Sequence, residues 1–416
     1  MKILILVEKA WLGGHAISAF TIARELREKG YEIVFACDKG PLTDKIKSEF
    51  RYYEIPFYRY FGKQQTYFRF RSFRTVEQLI AIVRNEKIDL IHAFDPRSLI
   101  AGRIVSLLYR IPITATLCGG LSPFHNLPYL KRIMVFSEEQ RQKLVRKYQW
   151  NEENVRVVMS RICMKNFENN SHVYKPNELF GASGEVKKIY YITRFDDTKK
   201  NAILYVINGF RLLLEKTSDV ALVLIGGDNG EFYEEVREIA EVINNLYAGK
   251  KIILTGPLID AYRYLEDADI VLGVGRSAFE GMGFRKPTLI ICENGFAGTV
   301  SPENIKEIEY YNFSGRNIHE MTNEDIFVKE VIQLLSDEKY YDNVKEYGFK
   351  YLMEKIDVSH GIKEITEIYD EVQVDDRSRA DLMMNLINIV CFIIMDNFMG
   401  YFKYIAKDMF HRMRLS

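Results

Sequence analysis

Asp269–Glu293 reads DIVLGVGRSAFEGMGFRKPTLIICE. A β-branched apolar run, Asp269–Leu272, gives way to glycines. A short helical stretch follows, then a second apolar run, Thr288–Cys292, and an acid. This is a strand–turn–helix–strand unit of a parallel α/β sheet. Gly273, Gly275 and Ala278 spell GxGxxA, and Glu293 stands close to where a dinucleotide-binding fold places its ribose-binding acid. The stretch is therefore either a nicotinamide or flavin fingerprint or another turn that grips phosphates.

Its position in the chain separates the two readings. A dinucleotide fingerprint follows the first strand of its domain and opens a full-length crossover helix. Here the same alternation has already run for many elements. Strands are expected at Lys2–Val7, Glu32–Cys37, Asp89–Ala93, Ile113–Leu117 and Arg132–Phe136, separated by helices at His15–Lys29, Thr75–Asn85, Leu99–Tyr109 and Glu138–Lys147. A polar, aperiodic stretch, 167–187, then reads as an inter-domain connection. The alternation restarts with strands at Lys188–Ile192, Val220–Ile225 and Ile252–Thr255 and helices at Ala202–Glu215 and Glu231–Leu246, so the opening stretch holds the last strands of a second domain. Continuous apolar strands alternating with helices mean parallel sheets covered on both faces. The expected fold is α/β, with two doubly wound Rossmann-like domains facing a central cleft and a C-terminal helical tail. The expected divisions are 1–166, 167–187, 188–358, a crossover helix at 359–375 and an amphipathic tail at 376–416.

Composition narrows the partners. With 416 residues and 47% hydrophobic side chains, the chain has material for several cores. Lys+Arg and Asp+Glu both total 57, which gives no global charge for nucleic acid. The cysteines, Cys37, Cys118, Cys163, Cys292 and Cys391, form no CxxC pair and fit a reducing, cytoplasmic compartment. The apolar run before Glu8 is too short for a signal-peptide core, and no segment is long enough to span a bilayer.

In open parallel sheets ligands bind outside the carboxyl ends of the strands, so the loops there hold the candidates. After the first strand come Gly13, Gly14 and His15 at a helix start, either an anion-approaching turn or a plain one. His92 and Asp95 flank a strand end, as a cleft pair or as structural residues, and His125 lies in a glycine-led loop. In the second half Arg194 and Lys199 sit between a strand and a helix, where two cations and a helix N-terminus suit a diphosphate, or simply a solvated loop. Gly226-Gly227, Gly256, and Gly275-Arg276-Ser277 with Glu280 follow the next strands.

Together these pieces resemble the GT-B glycosyltransferases, specifically the retaining, nucleotide-sugar-dependent family 4. The resemblance covers about 1–375 and is most specific between Ile189 and Ile290: Arg194 and Lys199, LVLIGGD, ILTGPL, YLEDADIVL and FEGMGFRKPTLI. It implies that Arg194 and Lys199 hold the donor diphosphate, that Glu280 accepts from the ribose hydroxyls, and that main chain at Gly256 meets the base. Gly14 would approach the phosphates. No metal or cofactor is implied, and UDP-sugar is expected over GDP-sugar. The implied partners are the nucleotide-sugar donor and a glycan or lipid-linked acceptor, with His15, His92, Asp95 and His125 as acceptor-side candidates. The sequence departs from the family at three places: Lys200 stands for a glycine, Ser160-Arg161 for Asn-Gly, and the stretch before Glu280 is altered. The position eight before Glu280, a glutamate in the family, is Leu272, and the loop between them is short. Gly275, Arg276 and Ser277 are expected to take over phosphate or sugar contacts, Lys200 to add charge, and Arg161 to face the cleft. A GT-B epimerase or a catalytically silent partner subunit is the alternative.

Two segments suggest surfaces. Arg51–Arg74 carries ten Tyr or Phe and six Lys or Arg, and it reads as membrane contact, acceptor groove or a partly buried sheet-edge element. Past residue 375, apolar residues at helical spacing run into Lys403, Lys407, Arg412 and Arg414. That suits an interfacial helix, a helix packed on its own protein, or a homodimer contact, with a peripheral location at the inner membrane face.

Overall fold

The computed structural model describes residues 1–57, 71–119, 127–168, 186–227, 230–247, 249–258, 260–373, 383–391 and 394, with the side chains of 71–73 left aside. The chain divides into two compact units. One joins Met1–Arg161 to Val358–Ser416, and the other is Ile162–Asp357. The division falls at 161/162, upstream of the connection read from sequence at 167–187, most of which lies outside the described residues.

The first unit is built on seven strands: β1 (Lys2–Lys9), β2 (Glu32–Asp38), β3 (Arg51–Glu54), β4 (Leu90–Ala93), β5 (Ile113–Leu117), β6 (Ile133–Val135) and β7 (Val155–Val157). All pairs are parallel, in the order β3-β2-β1-β4-β5-β6-β7. β1 and β4 are central, so their apolar runs are buried on both faces; Ile3–Val7 are all at 0% exposure. β3 and β7, which the sequence reading did not identify, are the two edges. RYYE and VRV have no buried apolar run to mark them as strands in the sequence.

The second unit has β8 (Lys187–Ile192), β9 (Val220–Ile225), β10 (Ile252–Leu254), β11 (Ile270–Gly273), β12 (Thr288–Cys292) and β13 (Gly295–Thr299). Their order is β10-β9-β8-β11-β12-β13, and only β13 runs antiparallel, as a hairpin from β12. Leu272, standing where the resemblance puts a glutamate, is a fully buried β11 side chain in this unit's core.

Each sheet winds the same way from its first strand, outward to one side and then back across to the other. The chain from 324 to 373 holds the helices Glu324–Ser336, Glu338–Tyr351 and Val358–Gln373, with breaks at Asp337 and Asp357. The Val358–Gln373 helix belongs to the first unit, where it packs on the Gly14–Glu28 helix. No helix among the described residues is long and apolar enough to cross a membrane.

Candidate functional site

In the second unit the chain leaves β8 toward β9 and returns to β11 on the other side of β8. A crevice opens outside the carboxyl ends of two such strands, where neighbouring loops part in opposite directions. The loops after β8, β9 and β10 are tied together by main chain. Thr193 N–H donates to the Ile225 carbonyl at 3.0 Å, and Gly226 N–H donates to the Gly256 carbonyl at 3.0 Å. A Cβ on Gly226, which has φ +128°, would fall 1.9 Å from the Thr193 carbonyl oxygen, so only glycine fits that crossing.

Arg194 and Lys199 come together on the first of these loops. Asp196 shapes it: Thr198 N–H donates to Asp196 Oδ1 at 3.1 Å, and Lys199 N–H donates to the Asp196 carbonyl at 2.8 Å. This turn sets Lys199 as the N-cap of the Lys200–Leu214 helix, whose end no side chain caps. Arg194 is exposed and lies 3.2 Å from Asp196 Oδ2. Lys199 is half-buried. Burial and then the Arg194 charge push its pKa down, while Asp196, Cys292 and Glu293 act in the opposite direction. Two mutually repelling cations beside a helix N-terminus favour a bound dianion. Lys200 does not join them. It pairs with Glu235 at 2.7 Å over the Phe232 ring, because its place in the helix turns it toward the Glu231–Leu246 helix.

The turn after β11 forms the opposite side of the switch point. Gly275, at φ +54° and ψ −116°, is the N-cap of the Arg276–Gly283 helix, with no capping side chain and no acid in the first turn. Its N–H donates to the Phe313 carbonyl at 2.7 Å. Ser277, expected to contact phosphate, instead closes the turn: its hydroxyl accepts from Val274 N–H at 3.1 Å and donates to the Val274 carbonyl at 3.2 Å. Arg276 Nε donates to Glu280 Oε1 at 2.9 Å, one turn along the helix. Glu280 is 9% exposed, and burial raises its pKa while the Arg276 charge opposes that rise.

Sequence reading missed the brace behind this turn. Asn312 and Phe313 are successive non-glycine residues at φ +56° and +55°. Phe313 is fully buried, its ring 4.8 Å from Phe279 of the Arg276–Gly283 helix. A left-handed Phe has no signature in composition or periodicity.

The first unit has its own switch point, between β1 and β4. Gly13 caps the Gly14–Glu28 helix without a side chain, and a Cβ on Gly14 would meet nothing within 4 Å. His15 is half-buried there. Asp95 is nearby, since the charge on His15 is among the influences on its carboxyl, but its oxygens are engaged. Oδ1 caps the Pro96–Tyr109 helix by accepting from Ser98 N–H at 2.8 Å, and Oδ2 accepts from Glu8 N–H at 2.6 Å. Asp95 is thus a capping residue that also ties β1 to β4. Glu8, overlooked in the sequence although it stands at a strand end, pairs with Arg97 at 2.6 Å.

His92 is corrected outright. It is at 0% exposure, with Nδ1 2.7 Å from the Tyr369 hydroxyl and Nε2 2.8 Å from Thr116 Oγ1, so both ring nitrogens are occupied inside the unit. Arg161 is likewise buried, bonded to the Met159 carbonyl at 2.7 Å and lying over the Phe136 ring. His125 lies outside the described residues. Of Arg51–Arg74, the described start is sheet edge: Tyr52 donates to the Cys37 carbonyl at 3.2 Å, and Arg51 pairs with Glu86 at 3.1 Å.

Residues 12–159 match the family model described as Glycosyltransferase Family 4. No curated protein matches the sequence. Among solved structures, a glycosyltransferase from Rickettsia africae is 15% identical with a TM-score of 0.69, over 90% of this chain and 99% of that one. HepE of Anabaena, in complex with UDP and glucose, is 16% identical with a TM-score of 0.67, over 89% and 99%. The UDP-GlcNAc 2-epimerase from Neisseria meningitidis, bound to UDP-GlcNAc, is 14% identical with a TM-score of 0.58, over 89% and 100%. These likenesses show the fold, which is GT-B.

Proposed function

We propose that this GT-B chain, matched to Glycosyltransferase Family 4 across most of its first unit, transfers a sugar from a nucleoside diphosphate donor, with UDP favoured as the nucleotide. The observation that carries the reading is the pair Arg194 and Lys199 at the switch point of the second sheet, one loop away from an acid-free helix start at Gly275. The UDP and glucose in the Anabaena neighbour support the choice of donor.

In this reading the acceptor hydroxyl oxygen bonds to the anomeric carbon as the bond from that carbon to the diphosphate oxygen breaks. The diphosphate keeps the electron pair, and its departing oxygen takes up the proton that the hydroxyl loses. Arg194, Lys199 and the N-terminus of the Arg276–Gly283 helix stabilise that charge without a metal, as fixed donors in a site drier than water do. Glu280 accepts from the ribose hydroxyls, held by Arg276, and main chain at Gly256 meets the base. In the first unit Gly14 and His15 are the residues proposed to meet substrate. The acceptor is a glycan or a lipid-linked saccharide, built into a bacterial surface polysaccharide or glycolipid at the inner face of the membrane. Retention of configuration is part of the proposal, with the hydroxyl entering on the face from which the diphosphate leaves. With Leu272 buried in the strand, no carboxylate at that position contacts the sugar.

Calorimetric titration against UDP, GDP, ADP and NAD tests the donor site, and transfer of labelled sugar to a lipid-linked acceptor tests the reaction. Binding of NAD alone would overturn the reading. The epimerase neighbour favours one alternative, and that alternative makes a separate prediction. An epimerase interconverts UDP-N-acetylhexosamines with no acceptor present, which proton NMR would report directly.

A further inference from the structure

The helical segment at 383–391 is amphipathic the wrong way round for a water-facing surface. The chain is helical again at 394, and the segment docks on the first unit through its polar side. Asn385, at 0% exposure, accepts from Arg103 Nε at 3.3 Å. Asn388 donates to the Leu127 carbonyl at 3.2 Å. Ile389 completes that side against Ile100, Ile104 and Leu107. Met383, Leu386, Ile387, Val390 and Ile394 follow the i, i+3, i+4, i+7, i+11 spacing of the opposite face, and each is between 45% and 65% exposed. A surface helix of a soluble protein turns its apolar stripe inward and its amides outward. Here the order is reversed, and the inner amides are bonded, so the orientation is fixed by partners rather than by chance.

We infer that this outward face seats the protein on an anionic lipid bilayer, with the helix lying in the interface plane. Three observations select lipid as the cover. None of the five outward side chains is charged, which suits the acyl boundary. The 22 residues that follow, 395–416, carry Lys403, Lys407, Arg412 and Arg414 against Asp396 and Asp408. That surplus is attracted to acidic headgroups, whereas a second copy would set the same positive tails side by side. Those residues also bring Phe398, Tyr401, Phe402, Ile405 and Met409, adding apolar side chains to a segment already short of polar cover. The Pro96–Tyr109 helix beneath ends in exposed Leu108 and Tyr109, extending the apolar character of the region. No described helix is long and apolar enough to cross the bilayer.

The inference is independent of sugar transfer, because vesicle binding reads it with neither donor nor acceptor present. The test is flotation of the full chain with vesicles of phosphatidylcholine mixed with phosphatidylglycerol, beside vesicles of phosphatidylcholine alone. The wild type should float with the mixed vesicles and less with the neutral ones. Leu386→Gln/Val390→Gln should cut partitioning by about tenfold or more, as expected for losing two buried apolar side chains from the interface. Its Tm should match the wild type, since both side chains point away from the unit. Lys403→Glu/Lys407→Glu should lower binding to the mixed vesicles only. Failure of the wild type to float would overturn the inference, as would a double glutamine variant that floats unchanged. So would a wild-type dimer in light scattering that Leu386→Gln/Val390→Gln splits into monomers, since a second copy would then be the cover.

Discussion

The Gly275 N–H donates to the Phe313 carbonyl at 2.7 Å, and both residues hold a positive φ, +54° and +55°. A left-handed segment thus fixes a glycine turn, and that turn begins the helix assigned to the donor phosphates. Strain of this kind persists only where packing over-determines it, and Phe313 is fully buried against Phe279.

Gly275→Ala tests that relationship. The space around Gly275 is open, so backbone conformation alone is perturbed. At φ +54° and ψ −116° an alanine is expected to cost about 1–3 kcal/mol. Thermal unfolding should show the loss, and donor affinity should fall with it as the turn moves off the Phe313 carbonyl. A variant with wild-type Tm and wild-type affinity would remove the turn from the site.

Lys199 gives a pH prediction. Its ammonium form is the one that binds diphosphate. Burial and Arg194 hold its pKa below the 10.5 of a free lysine, so the proton leaves earlier as pH rises. Donor affinity should therefore decline through that lowered value, with UDP binding drawing a proton back on. Titration calorimetry in buffers of different ionisation enthalpy measures the uptake. Lys199→Ala should weaken UDP by about 10- to 100-fold, the worth of a charged hydrogen bond, and abolish the pH dependence. Affinity flat in pH for the wild type would exclude Lys199.

For Glu280, the conservative change is Glu280→Gln. The amide keeps the shape but replaces a charged acceptor with a neutral one, so UDP affinity should drop about tenfold. The fold should be retained, because burial already disfavours the carboxylate there. The deoxyribose nucleotide should lose less than the ribose one; equal losses would place the ribose elsewhere.

His92 should matter to stability and not to turnover. Burial lowers its pKa to about 3, so the folded protein keeps it neutral while the unfolded chain protonates it near 6.5. Its contribution is complete above 6.5 and is lost progressively as pH falls toward the folded value. His92→Leu strands the Tyr369 and Thr116 hydroxyls and should cost about 2–5 kcal/mol. Chemical denaturation across acid pH would show the slope shrink, and a fall in kcat without a fall in stability would restore His92 to the site.

Much of the architecture was legible in the sequence because interior strands advertise themselves. Ile113–Leu117, Val220–Ile225 and Thr288–Cys292 are runs of apolar residues and threonine without a charge, and the structure has strands with those same bounds. The Glu231–Leu246 helix is equally plain. β3, β7 and β13 were not legible, since RYYE, VRV and GFAGT carry no sustained apolar run, whereas the edge strand β10 does. The glycine turns after the strands could be read as turns, but Ser277, Lys200 and Asp95 carry the same letters whether they face a ligand or their own backbone. Their hydrogen bonds to Val274, Glu235 and Ser98 are facts of geometry.

What the sequence determined by itself was periodicity: which segments bury a face, where each alternation stops, and which residues stand at strand ends. Tertiary structure decided adjacency. Strand order set β11 beside β8 and so brought the Gly275 turn to the edge of the Arg194 and Lys199 loop. Packing buried His92 between Thr116 and Tyr369, residues far apart in the chain. It also turned Asn385 inward and Leu386 outward on a helix whose spacing alone allowed either orientation. A period reports that a face is apolar, and only the neighbours that pack against a helix fix which face it turns to them.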